Sequence, residues 1–199
     1  MIARFLAREA LRDRRGFVLK AGLPLVIVAG AAPAGFAGPA LAMLILFTGI
    51  IGGGMAVTRL RAAGMFDRLV ASPAPKPVLF IEIAATETLL HLAGFGPAIL
   101  LACIVSGASL VIPALLSIAV TGVIGVLVGL ASRGFGDLHL NAILAVLPLL
   151  LAAVIQSPVS LLLPFRALLV PEVNPAVPVL PLVTLSALYG LLVLAARRF

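Results

Sequence analysis

Long apolar runs alternate along this chain with short polar interruptions that carry nearly all of its charge. From Ala21 to Thr58 there are 38 residues without one formal charge. A helix needs about 20 apolar residues to cross the hydrocarbon of a bilayer, so this run suits two spans rather than one. The turn signal ProAlaGlyPheAlaGlyPro at 33–39 divides it into spans at about 21–37 and 40–57. Later runs predict spans at about 78–105, 110–131, 140–157 and 176–196, with the tight turn SerGlyAlaSer at 106–109. The third is longer than the hydrocarbon is thick and holds Gly94, Gly96 and Pro97, a plausible kink. The Pro-rich segment 158–175, with Arg166 and Glu172, reads as an outer cap containing a short half-inserted helix. The predicted fold class is an all-α transmembrane bundle of six helices, forming one domain over residues 1–199.

The interruptions have patterns of their own. In residues 1–20, Arg4, Arg8, Arg12 and Arg15 make a stripe at helical spacing, while Ile2, Phe5 and Leu6 are apolar. That predicts an amphipathic helix lying in the headgroup region and drawn to anionic lipid. In residues 58–77, Ala62, Ala63, Phe66, Leu69 and Val70 share one helical face and Arg61 and Arg68 the opposite one. This second helix should stop near Ser72, because Pro73, Pro75 and Pro77 cannot continue it.

Composition narrows the class. Hydrophobic residues are 63% of the 199 and mean hydropathy is +1.29, which leaves too little polar surface for a water-soluble domain. A net charge of +7 and a pI near 11.3 could mean nucleic acid, but the positions of the bases favour membrane topology. If both termini are cytoplasmic, thirteen of the fourteen Lys and Arg fall on the inner side and only Arg166 lies outside. The small residues near 31–42 mimic a signal-peptide cleavage site, yet the long patterned leader argues for retention. Cys103 stands alone in an apolar run and reads as a small core residue.

Candidate chemistry is sparse. Glu82, Glu87 and His91 are the ionisable residues well inside a span, and Glu87 and His91, four apart, share a helix face. Burying a carboxyl in lipid costs roughly 2.5–3.5 kcal/mol, so such groups normally face protein or water. A polar patch on a transport path is the sharper reading. The plainer one is that Glu82 reaches headgroups or Lys76, while Glu87 and His91 satisfy each other or a neighbouring helix. Two ligands are too few for a metal site. Gly49 and Gly53 form a GxxxG pair expected to pack closely against another span. The sequence holds no nucleophile motif and no Walker A loop, so no catalytic residue is assigned.

The letters Arg61, Gly64, Phe66, Asp67, Arg68, Leu69, Ser72 and Pro73 resemble a segment found between the second and third spans of type-2 ABC exporter membrane subunits. That segment is similar to Arg-Glu-Glu-Gly-Thr-Leu-Glu-Arg-Leu followed by Ser-Pro. This chain departs from it at Ala62, Ala63 and Met65. ProLeuLeuLeu at 148–151 resembles the fifth-span region of the same superfamily, and LeuProLeu at 147–149 also resembles the haem-exporter branch of cytochrome c maturation. The resemblance implies a permease subunit of a prokaryotic inner-membrane exporter, paired with a second membrane subunit. It implies a separate ATP-binding subunit that holds ATP and Mg and grips the 58–77 loop, and no cofactor on this chain. A non-transporting membrane scaffold is the competing class; it would need neither the docking helix nor the ATPase.

Overall fold

The computed structural model describes residues 5, 6, 8, 14–155, 158–169 and 179–198. Besides the helical residues 5, 6 and 8, the described residues form eight helices in order: α1 (Arg14–Ala31), α2 (Ala37–Ala62), α3 (Met65–Ala71), α4 (Lys76–Ser106), α5 (Val111–Ala131), α6 (Phe135–Val154), α7 (Arg166–Leu169) and α8 (Val179–Ala196). Short 3-10 turns cover Ala32–Ala34, Ala108–Leu110 and Pro158–Leu162. No strand occurs among the described residues. Among the described residues four helices, α2, α4, α5 and α6, are long and apolar enough to cross a membrane, while the apolar stretches Val18–Ala34 and Leu180–Ala196 are shorter.

The surface is compatible with a membrane protein. On α6, Leu140, Ile143, Leu144, Leu147, Leu151 and Val154 are all exposed, and their spacing draws one apolar stripe down the helix. In water each would forgo roughly 1.5–3 kcal/mol of burial. Hydroxyls inside the apolar helices are satisfied locally: Thr58, Ser117 and Thr121 each donate to the carbonyl four residues earlier. With no water at hand, that return bond is the cheapest partner a threonine or serine can find.

Helix α2 is central, packed by α1, α4, α5, α6 and α7. Its face toward α5 is built from glycines on both sides. A Cβ on Gly53 would sit 2.7 Å from the Gly122 carbonyl oxygen, and one on Gly129 would sit 2.8 Å from the Gly54 Cα. Gly49 lies on the same seam, against Thr121. The two backbones are therefore in contact, which only hydrogen side chains allow.

Core residues form two clusters, one toward each end of the bundle. Leu41, Ile45, Ile50, Phe95, Ile118, Phe165 and Leu168 belong to the first. Leu6, Leu60, Phe66, Phe80, Val126 and Leu192 belong to the second, at the end that carries α3.

Boundaries differ from the sequence expectation at several points. The Gly35 turn, at φ 76°, is followed at once by α2, which therefore includes Gly38 and Pro39. The loop expected at 132–139 shrinks to Ser132–Gly134, because Asp137 fits the first turn of α6, where a helix favours negative charge. Pro97 sits inside continuous helix. Of the half-inserted helix expected within 158–175, the described residues form a 3-10 turn and the helical stretch α7, with residues 170–175 outside the described residues, and Leu168 of α7 abuts Gly38. Of the expected basic stripe, Arg8 is helical and exposed; Arg4 and Arg12 lie outside the described residues, as does Glu172.

Candidate functional site

The polar interruption at 58–77 is a hook built in three parts. Helix α2 continues through Arg59 and Arg61 to Ala62, and the chain then reverses at Gly64, whose φ of 63° is left-handed. A side chain there would be strained even though nothing lies within 4 Å. Helix α3 follows, and the prolines end it as the sequence predicted. The turn separates Ala62 and Ala63 from the helix that carries Phe66. They are exposed at the bend, not on its apolar face.

Two side chains fasten the hook. Arg61 donates to the carbonyls of Gly129 (3.0 Å), Leu130 (3.0 Å) and Ser132, and so caps the C-terminus of α5. These carbonyls lie at the negative end of a helix dipole, where a guanidinium fits best, and that of Gly129 also accepts from the Ser132 N–H at 3.3 Å. Its charge also lies 4.7 Å from the centroid of the Phe66 ring. Phe66 is 5% exposed and packs on Phe80 with ring centroids 6.1 Å apart. Lys76 donates to Ser72 O (2.9 Å) and to Val70 O, closing the end of α3. The Ser72 hydroxyl is buried without a hydrogen-bond partner.

The eight residues that carry the resemblance therefore divide. Arg61 and Phe66 turn inward, and Leu69 and Ser72 are half-buried. Gly64, Asp67, Arg68 and Pro73 are exposed. Leu6, from the N-terminal segment, is buried in the same cluster as Phe66, so this side chain packs at the root of the hook.

The second group of candidates lies midway along α4. Glu87 and His91 are both buried, at 6% and 8% exposure. One ring nitrogen of His91, Nδ1, lies 2.7 Å from the Glu87 backbone oxygen, and Nε2 lies 3.1 Å from the Thr48 backbone oxygen on α2. A neutral imidazole donates to one of these carbonyls, whereas an imidazolium donates to both. The Glu87 carboxylate is 3.9 Å from Nδ1. His91 thus ties α4 to α2 through backbone oxygen. Glu82 is half-buried one turn nearer the hook, and the Lys76 ammonium is engaged by Val70 and Ser72.

His91 is seated on Gly52, where a Cβ would overlap the imidazole ring. Gly52→Ala should therefore displace His91 and lower stability by about 1–3 kcal/mol. Thermal unfolding in detergent checks this: a midpoint equal to wild type would show that the ring does not depend on that space.

These residues line a cavity of about 380 Å³ between α1, α2 and α4, a size that suits a small molecule. Its wall on α2 is Thr48, Gly52, Met55 and Arg59, and α1 contributes Lys20, Leu23 and Pro24. In the sequence Lys20 and Arg59 stand only as topology charges. The spacing of Thr48, Gly52, Met55 and Arg59, which puts them on one helix face, is the signal that groups them. Among the described residues no cluster of three metal-ligating side chains occurs. Comparisons of the chain with protein-family models, with curated proteins and with solved structures find no match.

Proposed function

We propose that this chain is the membrane-spanning subunit of an ATP-driven exporter for a hydrophobic or amphipathic substrate. In this reading it works with a separate ATP-binding subunit and a second membrane subunit in a prokaryotic inner membrane. The six apolar helices α1, α2, α4, α5, α6 and α8 cross the bilayer with both termini cytoplasmic, which puts thirteen of the fourteen bases on one side. The observation that carries the proposal is the hook. It presents a short polar surface of Gly64, Asp67, Arg68 and Pro73, while Phe66 and Arg61 root it in the inner core and in the end of α5. A partner that moved this surface would move α2 and α5 with it, because their backbones are locked together along the glycine seam.

The roots and the surface of the hook make different predictions. Arg68→Glu reverses an exposed charge and should leave thermal stability within about 0.5 kcal/mol of wild type. Co-purification of an ATP-binding cassette protein from the native host membrane should nevertheless be lost. Phe66→Asp puts a carboxylate where the ring is 5% exposed, and should destabilise the fold by about 3 kcal/mol or more. If no such ATPase accompanies the wild-type chain, the exporter reading fails and a scaffold becomes the better account.

A further inference from the structure

The cavity between α1, α2 and α4 has a polarity gradient that coupling to an ATPase does not call for. Leu44 and Phe47 of α2 line one end and Arg59 the other; at 1.5 Å rise per residue, Leu44 to Arg59 spans about 22 Å. The apolar wall is completed by Leu23, Pro24 and Phe95. Helices α1 and α2 run antiparallel through the short Ala32–Ala34 turn. Helical side chains tilt toward their own N-termini, so the stems of Lys20 and Arg59 lean toward each other along the groove. The other titratable groups in the lining are Glu87 and His91, buried and 3.9 Å apart. The described lining therefore holds two cations and one carboxylate, with Arg59 at one end, Lys20 beside Gly94 farther along the groove, and apolar side chains at the other end.

We propose that this groove holds an acidic membrane lipid, its headgroup against Lys20 and Arg59 and one acyl chain along Leu23, Phe47 and Phe95. The site depends on the helices being embedded in a bilayer but not on any ATPase partner, so it stands or falls apart from the exporter reading. Each basic residue near headgroups favours an acidic lipid by a factor of about five.

The chain contains no tryptophan, so one introduced residue reports locally. Leu23→Trp puts the probe in the groove, and Met55→Trp is an alternative within the same wall. Leu140→Trp puts a control on the exposed face of α6. The full-length variants are reconstituted in mixed phosphatidylglycerol and phosphatidylcholine vesicles, with bromine on the acyl chains of one lipid or the other. The groove tryptophan should be quenched with at least about tenfold preference for the acidic lipid, and the control with less than about twofold. Lys20→Gln with Arg59→Gln should abolish the preference, and Lys20→Arg should keep it; thermal unfolding identifies the variants that fold. Equal quenching by the two lipids in the groove would overturn the proposal. So would a preference that survives the double substitution in folded protein, or one equally strong at Leu140→Trp, which would mean general accumulation at a basic rim.

Discussion

Gly125→Ala is expected to destabilise this protein by about 3 kcal/mol or more, a large effect for one added methyl group. A Cβ at that position would lie 2.6 Å from the Ile50 carbonyl oxygen, 2.8 Å from that of Gly49 and 3.0 Å from the Gly53 Cα. All three are backbone atoms of α2, so no side chain can rotate away and the helices must separate. Separation would weaken the whole α2–α5 seam, including the contacts of Gly53 and Gly129. Alanine gains about 1 kcal/mol over glycine in helix propensity, which works against the predicted loss and makes the sign of the result informative. Gly136→Ala is the control: its Cβ would meet nothing within 4 Å, and it should be neutral or slightly stabilising. Unfolding of both variants in detergent, by heat or by added SDS, measures the difference. Two equal midpoints would mean that the seam is not a close backbone contact. The double variant Gly53→Ala with Gly125→Ala should cost less than the sum of the singles, because the first separation already makes room for the second methyl.

Arg61→Met should cost about 3 kcal/mol while keeping most of the side chain's apolar stem. The substitution removes the donors that cap Gly129, Leu130 and Ser132, and removes the cation beside Phe66. The Leu130 and Ser132 carbonyls at the end of α5 would be left to find water, while that of Gly129 keeps the Ser132 N–H at 3.3 Å. Arg61→Lys should recover only part of the loss, since an ammonium cannot span carbonyls that a planar guanidinium reaches together. Hydrogen exchange should rise locally at residues 130–134 before global unfolding. Arg68→Met, at an exposed position seven residues on, should leave both stability and exchange near wild type. If the two variants behaved alike, Arg61 would be a surface charge like its neighbour and the hook would have another root.

Much of the architecture was legible in the chain because hydrocarbon tolerates so few solutions. Long uncharged runs must be helices, and charges must lie at their ends, so Pro73 and Pro75 marked the end of α3 and Gly107 marked the turn into α5 without any tertiary information. The misreadings have one cause. Helical periodicity was extended from Ala62 to Val70, but one left-handed glycine, Gly64, splits that stretch and turns Phe66 inward while leaving Ala62 and Ala63 outside. The loop at 132–139 was drawn too long for a similar reason: a polar letter such as Asp137 reads as a loop residue, yet it suits a helix N-terminus equally well. Asn141 likewise stays in helix and donates to the Ser132 hydroxyl at 3.0 Å.

The candidate site divides along the same line. The linear chain was enough to single out Glu87 and His91, because an ionisable residue in an apolar run is conspicuous wherever it folds. It was also enough to mark Gly49 and Gly53 as a face for close approach. Only the tertiary structure paired that face with Gly122, Gly125 and Gly129, bent Arg61 back onto the end of α5, and brought Lys20 and Arg59 to one groove beside His91. The physical reason is that hydropathy and charge act on each residue separately and can be read locally. Which backbones touch, and which carbonyls are left for a guanidinium to reach, depends on shapes meeting across dozens of residues.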